Sequence, residues 1–389
     1  MRLTLNGNEA AFHDKVVRWL NENVPREPLP PIFTREGVDA HRLWEQRLYQ
    51  SGYAALHWPL EYGGSGASMA MQAIFQEEYQ RANAPDRLNR LGLGLIGPTL
   101  IEFGTPAQKA RFLAKILSCE ELWCQGFSEP EAGSDLASIR TRAVQDGDEL
   151  VVNGQKIWTS LSAFADWMFA LVRTGGVDER HRGLTFLLIP MTSPGIELRP
   201  IRQLHGDPGF SEVFFTDVRV PMENVVGEIG DGWRVAMATL GYERGTGLGD
   251  HVRFTREVED LAGIAVSAGR ATDDVVRDAV AARYVEAEVY KRFMQRVVTR
   301  LDAGEDLGYD ASLVKLYWSE MEARIFETAL DVLGPSAELD PMPLAHSGDR
   351  FHRNYWHARA SRIFAGTSEI QKNIISERLL GLPKERRWS

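Results

Sequence analysis

The segment FSEPEAGSD, Phe127 to Asp135, gathers hydroxyls, a glycine and carboxylates in a stretch with no regular period. Hydroxyls at Ser128 and Ser134, with close backbone approach at Gly133, would suit a polar ring or a phosphate. A plain polar loop has the same composition. GQKIWTSLSAFADW follows and places Trp158 and Ser160 at the end of an apolar run. An aromatic beside a hydroxyl could flank a planar cofactor; a core tryptophan is the other reading. Near the C-terminus, RIFAGTSEIQKNIISERLLGLP reads as an arriving segment, a tight turn and a new helix. Ser368 is placed to cap that helix, and Gln371 lies at capping-box spacing. Ile370, Ile374, Ile375, Leu379 and Leu382 recur at helical spacing, and Gly381 with Pro383 supplies the stop. Free N–H groups at such a start suit an anion such as a phosphate. Ala365, beside the turn, has no reactive side chain.

Other chemistries lack their signatures. GLGLIG, Gly92 to Gly97, matches the dinucleotide fingerprint letter by letter, but no strand precedes it and Pro98 follows at once. It reads instead as a glycine-rich connection between helices. The nine histidines form no H-E-x-x-H and no Cys/His cluster, and His352 and His357 are five apart, so no metal site is expected. No G-x-S-x-G elbow occurs.

The elements that must position these residues change texture along the chain. Phe12, Val16, Val17 and Leu20 form a helical stripe. GTPAQKARFLAKIL offers Thr105 as cap, Pro106 at the first helical position and Gln108 at the capping-box position. From about Leu122 the pattern turns to short strands: GLTFLLIP, GIELRPI and EVFFTDVRVP. Within ELVVNGQKIW, Asn153-Gly154 between two apolar runs predicts a hairpin. Past Gly230 long helices return, with Leu313, Leu316, Met321, Ile325, Thr328 and Val332 near helical spacing before a Gly334-Pro335 stop. The expected division is a helical domain over 1–121, a β domain over 122–229 and a helical domain over 230–389.

The chain has 389 residues, 44% hydrophobic and 25% charged, which implies a globular protein of more than one domain. A net charge of −10 disfavours nucleic acid and anionic membrane as partners. Two cysteines, Cys119 and Cys124, make no disulfide framework, and a reducing cytoplasm is the simplest home. The first twenty residues lack the apolar run of a signal peptide, and no uninterrupted apolar stretch is long enough for a membrane span.

In order, GYAALHWPLEYGGSGAS, FSEPEAGSD, NGQKIWTS, EVFFTDVRVP, GDGWRVAMATLGYERG and FAGTSEIQKNIISERLLGLP resemble the acyl-CoA dehydrogenase family over nearly the whole chain. The resemblance implies a mainly α fold with a central β-barrel: an N-terminal helical domain, the barrel, and a C-terminal four-helix bundle. It implies FAD between barrel and bundle near a subunit interface, and α-proton and β-hydride removal from an acyl-CoA to give a trans-2-enoyl-CoA. A thioester α-proton is weakly acidic, so the carbonyl oxygen must be held as charge develops. By the resemblance, the backbone N–H of Ala365 is one donor to that oxygen and an FAD hydroxyl the other. Gln125, Phe127, Ser128, Gly133, Ser134, Trp158 and Ser160 would serve FAD, with the Ser128 and Ser160 hydroxyls at the ring edge. Ser134 would also face the acyl-CoA. Thr367 and Glu369 would contact the ribose and phosphate region, and Arg244 would lie against CoA. Many members carry the catalytic glutamate where this chain has Ala365. Others carry it on a bundle helix just before an arginine, the position of Glu243.

Two family segments are altered. The R-x-x-F-G segment that reaches a neighbouring subunit's FAD is absent from SAGRATDDVVRDAVAARY, and the Q-x-x-G-G-x-G loop is replaced by DVLGPSAEL. Some members with such losses work as heteromers in which only one kind of subunit holds a complete site. The resemblance therefore implies a homo-oligomer, at least a dimer and as far as a tetramer, or a heterotetramer with a related subunit, and electron-transferring flavoprotein as acceptor. A flavin monooxygenase or nitroalkane oxidase on the same fold, and a non-catalytic subunit, are the rival readings.

Overall fold

A computed structural model describes residues 5–242, 247–338 and 348–384. In chain order the helices are α1 (Gly7–Asn23), α2 (Arg35–Gln50), α3 (Met69–Arg81), α4 (Gly97–Phe103) and α5 (Pro106–Leu117). Strands β1 (Trp123–Gly126), β2 (Arg142–Asp146), β3 (Glu149–Ser160), β4 (Trp167–Arg173), β5 (Leu184–Pro190), β6 (Ile196–Ile201), β7 (Phe210–Pro221) and β8 (Val225–Val226) follow. Helices α6 (Gly232–Tyr242), α7 (Asp250–Ser267), α8 (Asp274–Asp302), α9 (Asp310–Leu333), α10 (Gly348–Ser361) and α11 (Ser368–Ile374) complete the chain.

The chain clusters into two compact units. One, built from residues 1–24, 68–84 and 247–389, is helical. Its core joins Phe254, Leu261, Tyr290, Met294, Met321, Ile325, Phe326 and Phe351. In α1, Val16 and Leu20 of the expected stripe are fully buried. In α9 the predicted Met321, Ile325, Thr328 and Val332 are buried, but so are Lys315 and Glu322. That helix thus carries an inward polar face as well as an apolar one.

The other unit, residues 25–67 and 85–246, carries the sheet. The Thr105–Gln108 capping box forms as read, with both reciprocal bonds at the start of α5. Phe112 of α5 packs edge-on against Trp123 and Trp167, ring centroids 5.3 and 4.9 Å apart. The eight strands run β6-β7-β3-β2-β4-β5-β8, with β1 added beside β4. The expected barrel is not closed. The path ends at β6 and β8, which do not pair, so the sheet is open among the described residues. Its core face collects Cys124, Val152, Met168, Leu187, Val213 and Val218.

The hairpin expected at Asn153-Gly154 is also absent. Strand β3 runs straight through those residues for twelve residues and stays paired with β7, with a register shift between Val152 and Gly154. Asn153 explains the local signal differently: its side chain exchanges two 2.9 Å bonds with Asp217 across the bulge. The reversal lies six residues earlier, at Gly147-Asp148, where Gly147 takes φ 67 between β2 and β3. The GLGLIG run is no nucleotide loop. Residues 92–96 form a buried helical turn leading into α4, and the Leu93 carbonyl accepts from Trp58 Nε1 at 2.9 Å.

Candidate active site

The two sequence segments singled out in the β region meet in space. Phe127 and Ser128 leave the end of β1, and the Ser128 carbonyl accepts from Ile157 N of β3 at 2.9 Å. The FSEP turn therefore lies alongside Ile157, Trp158 and Ser160. The phenyl ring of Phe127 is buried and meets Phe169 and Phe186 edge-on at 5.8 and 5.9 Å. Ser128, Gln125 and Ser160 are half-buried, while Gly133 and Ser134 are exposed. Among the described residues, the Ser128 and Ser160 hydroxyls have no hydrogen-bond partner. Two half-buried, uncommitted hydroxyls on adjoining segments fit the polar edge of a planar ligand. A Cβ at Gly133 would meet nothing within 4 Å, so the chain itself leaves room there.

Trp158 is no core residue: it is 55% exposed and its indole touches Phe210 edge-on at 6.1 Å. It also takes φ 60, an outlier for a bulky residue. A left-handed non-glycine residue costs roughly 1–2 kcal/mol. Strain of this kind clusters at functional sites. Trp158→Gly should therefore leave the thermal midpoint of the FAD-free protein at or above the parent's, because the strain is relieved. If the indole stacks on FAD, as the family resemblance implies, FAD should bind up to about tenfold more weakly, the worth of an aromatic contact of about 0.5–1.5 kcal/mol. A lower midpoint with unchanged FAD affinity would contradict both halves.

Beneath the serines lies an ion pair that sequence reading missed. Lys156 is fully buried, and its Nζ donates to Glu129 Oε1 at 2.8 Å and to the Phe127 carbonyl at 3.1 Å. Burial pushes the lysine down to about 8, with Glu129 opposing the fall. Burial pushes Glu129 up, but Lys156 and the bonds from Thr141 and Arg140 together hold it below the usual carboxylate range. A signal existed: Lys156 continues the inward phase of Leu150 and Val152 along β3. Cys119 and Cys124 are buried free thiols, Cys119 pushed up to about 12 by burial, and so are poor nucleophiles.

The helical unit holds the Ala365 turn. Ala365 takes φ 52 and Gly366 φ 87. These two residues complete the turn one position earlier than expected. Thr367, not Ser368, is the extended N-cap and accepts from Ile370 N at 3.2 Å. Ser368 instead donates to Glu320 at 2.8 Å. Gln371 does not close a capping box; its Nε2 reaches back to the Ala365 and Gly366 carbonyls at 3.2 and 3.4 Å. A Cβ at Gly366 would lie 2.4 Å from that nitrogen, so the clamp needs glycine there. Among the described residues the Ala365 N–H has no acceptor, and Ala365 is exposed. The N–H is thus free to serve an outside oxygen. The exposed Glu369 is held below the usual carboxylate range by its own backbone N–H and the Thr367 hydroxyl. Glu243 and Arg244 lie outside the described residues. Among the described residues no cluster could hold a metal ion, and no helix is long and apolar enough to cross a membrane.

Family patterns match along the chain: "Acyl-CoA dehydrogenase, N-terminal domain" over residues 7–120, "middle domain" over 124–218 and "C-terminal domain" over 230–380. The chain belongs to the acyl-CoA dehydrogenase family. It is 42% identical over 392 residues to acyl-CoA dehydrogenase IpdE1 of Mycolicibacterium smegmatis, covering 96% of this chain and 98% of that one. It is 43% identical to IpdE1 of Mycobacterium tuberculosis with the same coverage. Among solved structures it is similar to the Tcur3481-Tcur3483 steroid ACAD (TM-score 0.86, 29% identity, 99% of this chain and 100% of that one). It is also similar to the ChsE4-ChsE5 complex from Mycobacterium tuberculosis (TM-score 0.81, 31% identity, 99% and 100%). As an acyl-CoA dehydrogenase it is an FAD-dependent flavoprotein. The uncommitted serine hydroxyls and the exposed Trp158 are of a chemistry that suits a flavin ring.

Proposed function

We propose that this acyl-CoA dehydrogenase introduces a trans double bond between Cα and Cβ of the acyl-CoA thioester of a steroid-derived acid. The observation that carries the reading is the meeting of Ser128, Trp158 and Ser160 with both hydroxyls uncommitted. The substrate class is supported by the likeness to IpdE1 and to the steroid ACAD. Ser128 and Ser160 bond the edge of the flavin ring, Gln125, Phe127, Gly133 and Trp158 line it, and Thr367 and Glu369 serve its ribose and phosphate region. When bound, FAD supplies the two-electron acceptor for the β-hydrogen. The Ala365 N–H holds the thioester oxygen as negative charge grows there. Glu243 receives the Cα proton, and Arg244 and Ser134 hold the CoA portion.

The solved relatives named as pairs, together with the altered R-x-x-F-G and Q-x-x-G-G-x-G segments, support assembly with a related subunit. Electron-transferring flavoprotein is the proposed electron acceptor.

Anaerobic bleaching of the yellow protein by a panel of CoA thioesters tests the reading. Bleaching by steroid-derived thioesters ahead of straight-chain ones is expected. Yellow protein indifferent to every thioester would overturn it in favour of an oxidase or monooxygenase. Replacing Ser128 and Ser160 together by alanine should weaken FAD binding by about 1 kcal/mol per lost bond and slow bleaching. Unchanged FAD retention and unchanged bleaching would remove the serines from the site.

A further inference from the structure

We propose that the Lys156–Glu129 ion pair is a positioning device that holds the Phe127–Ser128 backbone against β3, so that Ser128, Trp158 and Ser160 face one ligand together. This rests on the flavin-ring reading above. Lysine is almost never fully buried unless paired, and Lys156 sits inside the sheet with no exposure. Its ammonium bonds both neighbours of Ser128: the Phe127 carbonyl at 3.1 Å and the Glu129 carboxylate at 2.8 Å. Ser128 itself is tied to Ile157 N at 2.9 Å. Three consecutive residues of the turn are therefore fastened to β3 at Lys156 and Ile157, immediately before Trp158. Glu129 is fixed from the other side by Arg140 N at 2.6 Å and Thr141 N at 2.9 Å. Glu129 and Ala132 exchange two 3.0 Å backbone bonds, which close the turn beyond it.

Stability alone gives little reason for such a pair. Removing two charges from water costs about as much as their attraction returns, and an apolar pair of similar volume often holds a core as well. An apolar side chain cannot donate to the Phe127 carbonyl. The pair's distinctive contribution is the placement of the turn.

The test separates placement from stability. Three variants, Lys156→Met, Lys156→Met/Glu129→Gln and Ser128→Ala, are compared with the parent. Each is followed by the thermal midpoint of the FAD-free protein, FAD titration, the visible flavin spectrum and the flavin reduction potential. Lys156→Met should lower the midpoint and weaken FAD binding roughly tenfold or more, as expected for a lost charged hydrogen bond. The double variant leaves no unpaired charge, so its midpoint should return to near the parent value. Its FAD affinity, spectrum and potential should stay altered. Recovery of all four in the double variant would overturn the placement role and leave a merely structural pair. Parent-like FAD binding, spectrum and potential in Lys156→Met would overturn it as well. If Ser128→Ala alone is silent in all flavin readouts, the ring-site reading falls and the pair's role falls with it. If Ser128→Ala is effective while the Lys156 variants are silent, only the positioning role falls.

Discussion

Glu243→Gln is expected to slow anaerobic bleaching of the bound flavin by about 10²- to 10⁴-fold while the protein stays yellow. The reasoning starts from Ala365, whose methyl group cannot take a proton although the residue occupies the position of the glutamate in much of the family. Its N–H is free among the described residues, so the turn keeps its backbone donor while lacking a base. The alternative family position, just before an arginine, is Glu243 followed by Arg244. The amide of glutamine keeps the size of the side chain and removes its basicity, which isolates proton transfer from packing. The family resemblance offers either position for the base, so Ala365→Glu in the Glu243→Gln background should restore part of the rate. Near-parent bleaching by Glu243→Gln would place the base elsewhere or remove α-proton abstraction from the reaction.

Arg253→Met should destabilise the helical unit by roughly 3–5 kcal/mol, the usual cost of stripping a partner from buried charge. At about 2–4 °C per kcal/mol for a unit of this size, the thermal midpoint should fall by on the order of 10 °C. Arg253 Nη1 donates to Glu257 at 2.9 Å and to Glu322 at 2.8 Å, and both carboxylates are almost wholly buried. The arginine keeps a third of its exposure, so the carboxylates are the groups left stranded when it goes. In the parent, burial pushes Glu257 up despite the arginine. In Glu322 burial also pushes up, but Arg253 and the Ser361 hydroxyl more than offset it and hold that carboxyl down. Without Arg253 both acids titrate higher in the folded state than in the unfolded chain. The folded state then binds protons first, so the variant gains stability relative to the parent as pH falls towards 5. A deficit that widens on acidification would contradict this assignment. The network also reaches towards the Ala365 turn. Ser361 donates to Glu322, Lys315 donates to the Ser361 carbonyl, and Ala365 is four residues further on. Loss of Arg253 should therefore slow bleaching in addition to lowering stability.

The features legible from residue order were local or one-dimensional. Thr105, Pro106 and Gln108 cap α5 as read, because a capping box closes within four residues and needs no distant partner. The strands at GLTFLLIP, GIELRPI and EVFFTDVRVP, the helix of Met321 to Val332 and the family itself were legible for the same reason: order and spacing carry them. Tertiary structure decided which pairings win. Asn153-Gly154 has hairpin chemistry, but Asp217 on β7 offers Asn153 two bonds, and the strand continues through a bulge. The Thr367 cap displaced Ser368 because Gln371 clamps the turn at Ala365 and Gly366. The sheet stayed open because closure requires its two edge strands to pair, a distant relation that no residue spacing encodes. Lys156 and Glu129 are ordinary surface residues by type. Only the fold brings a carboxylate and a carbonyl to a lysine with no access to water, and burial without those partners would cost more than the chain could offset.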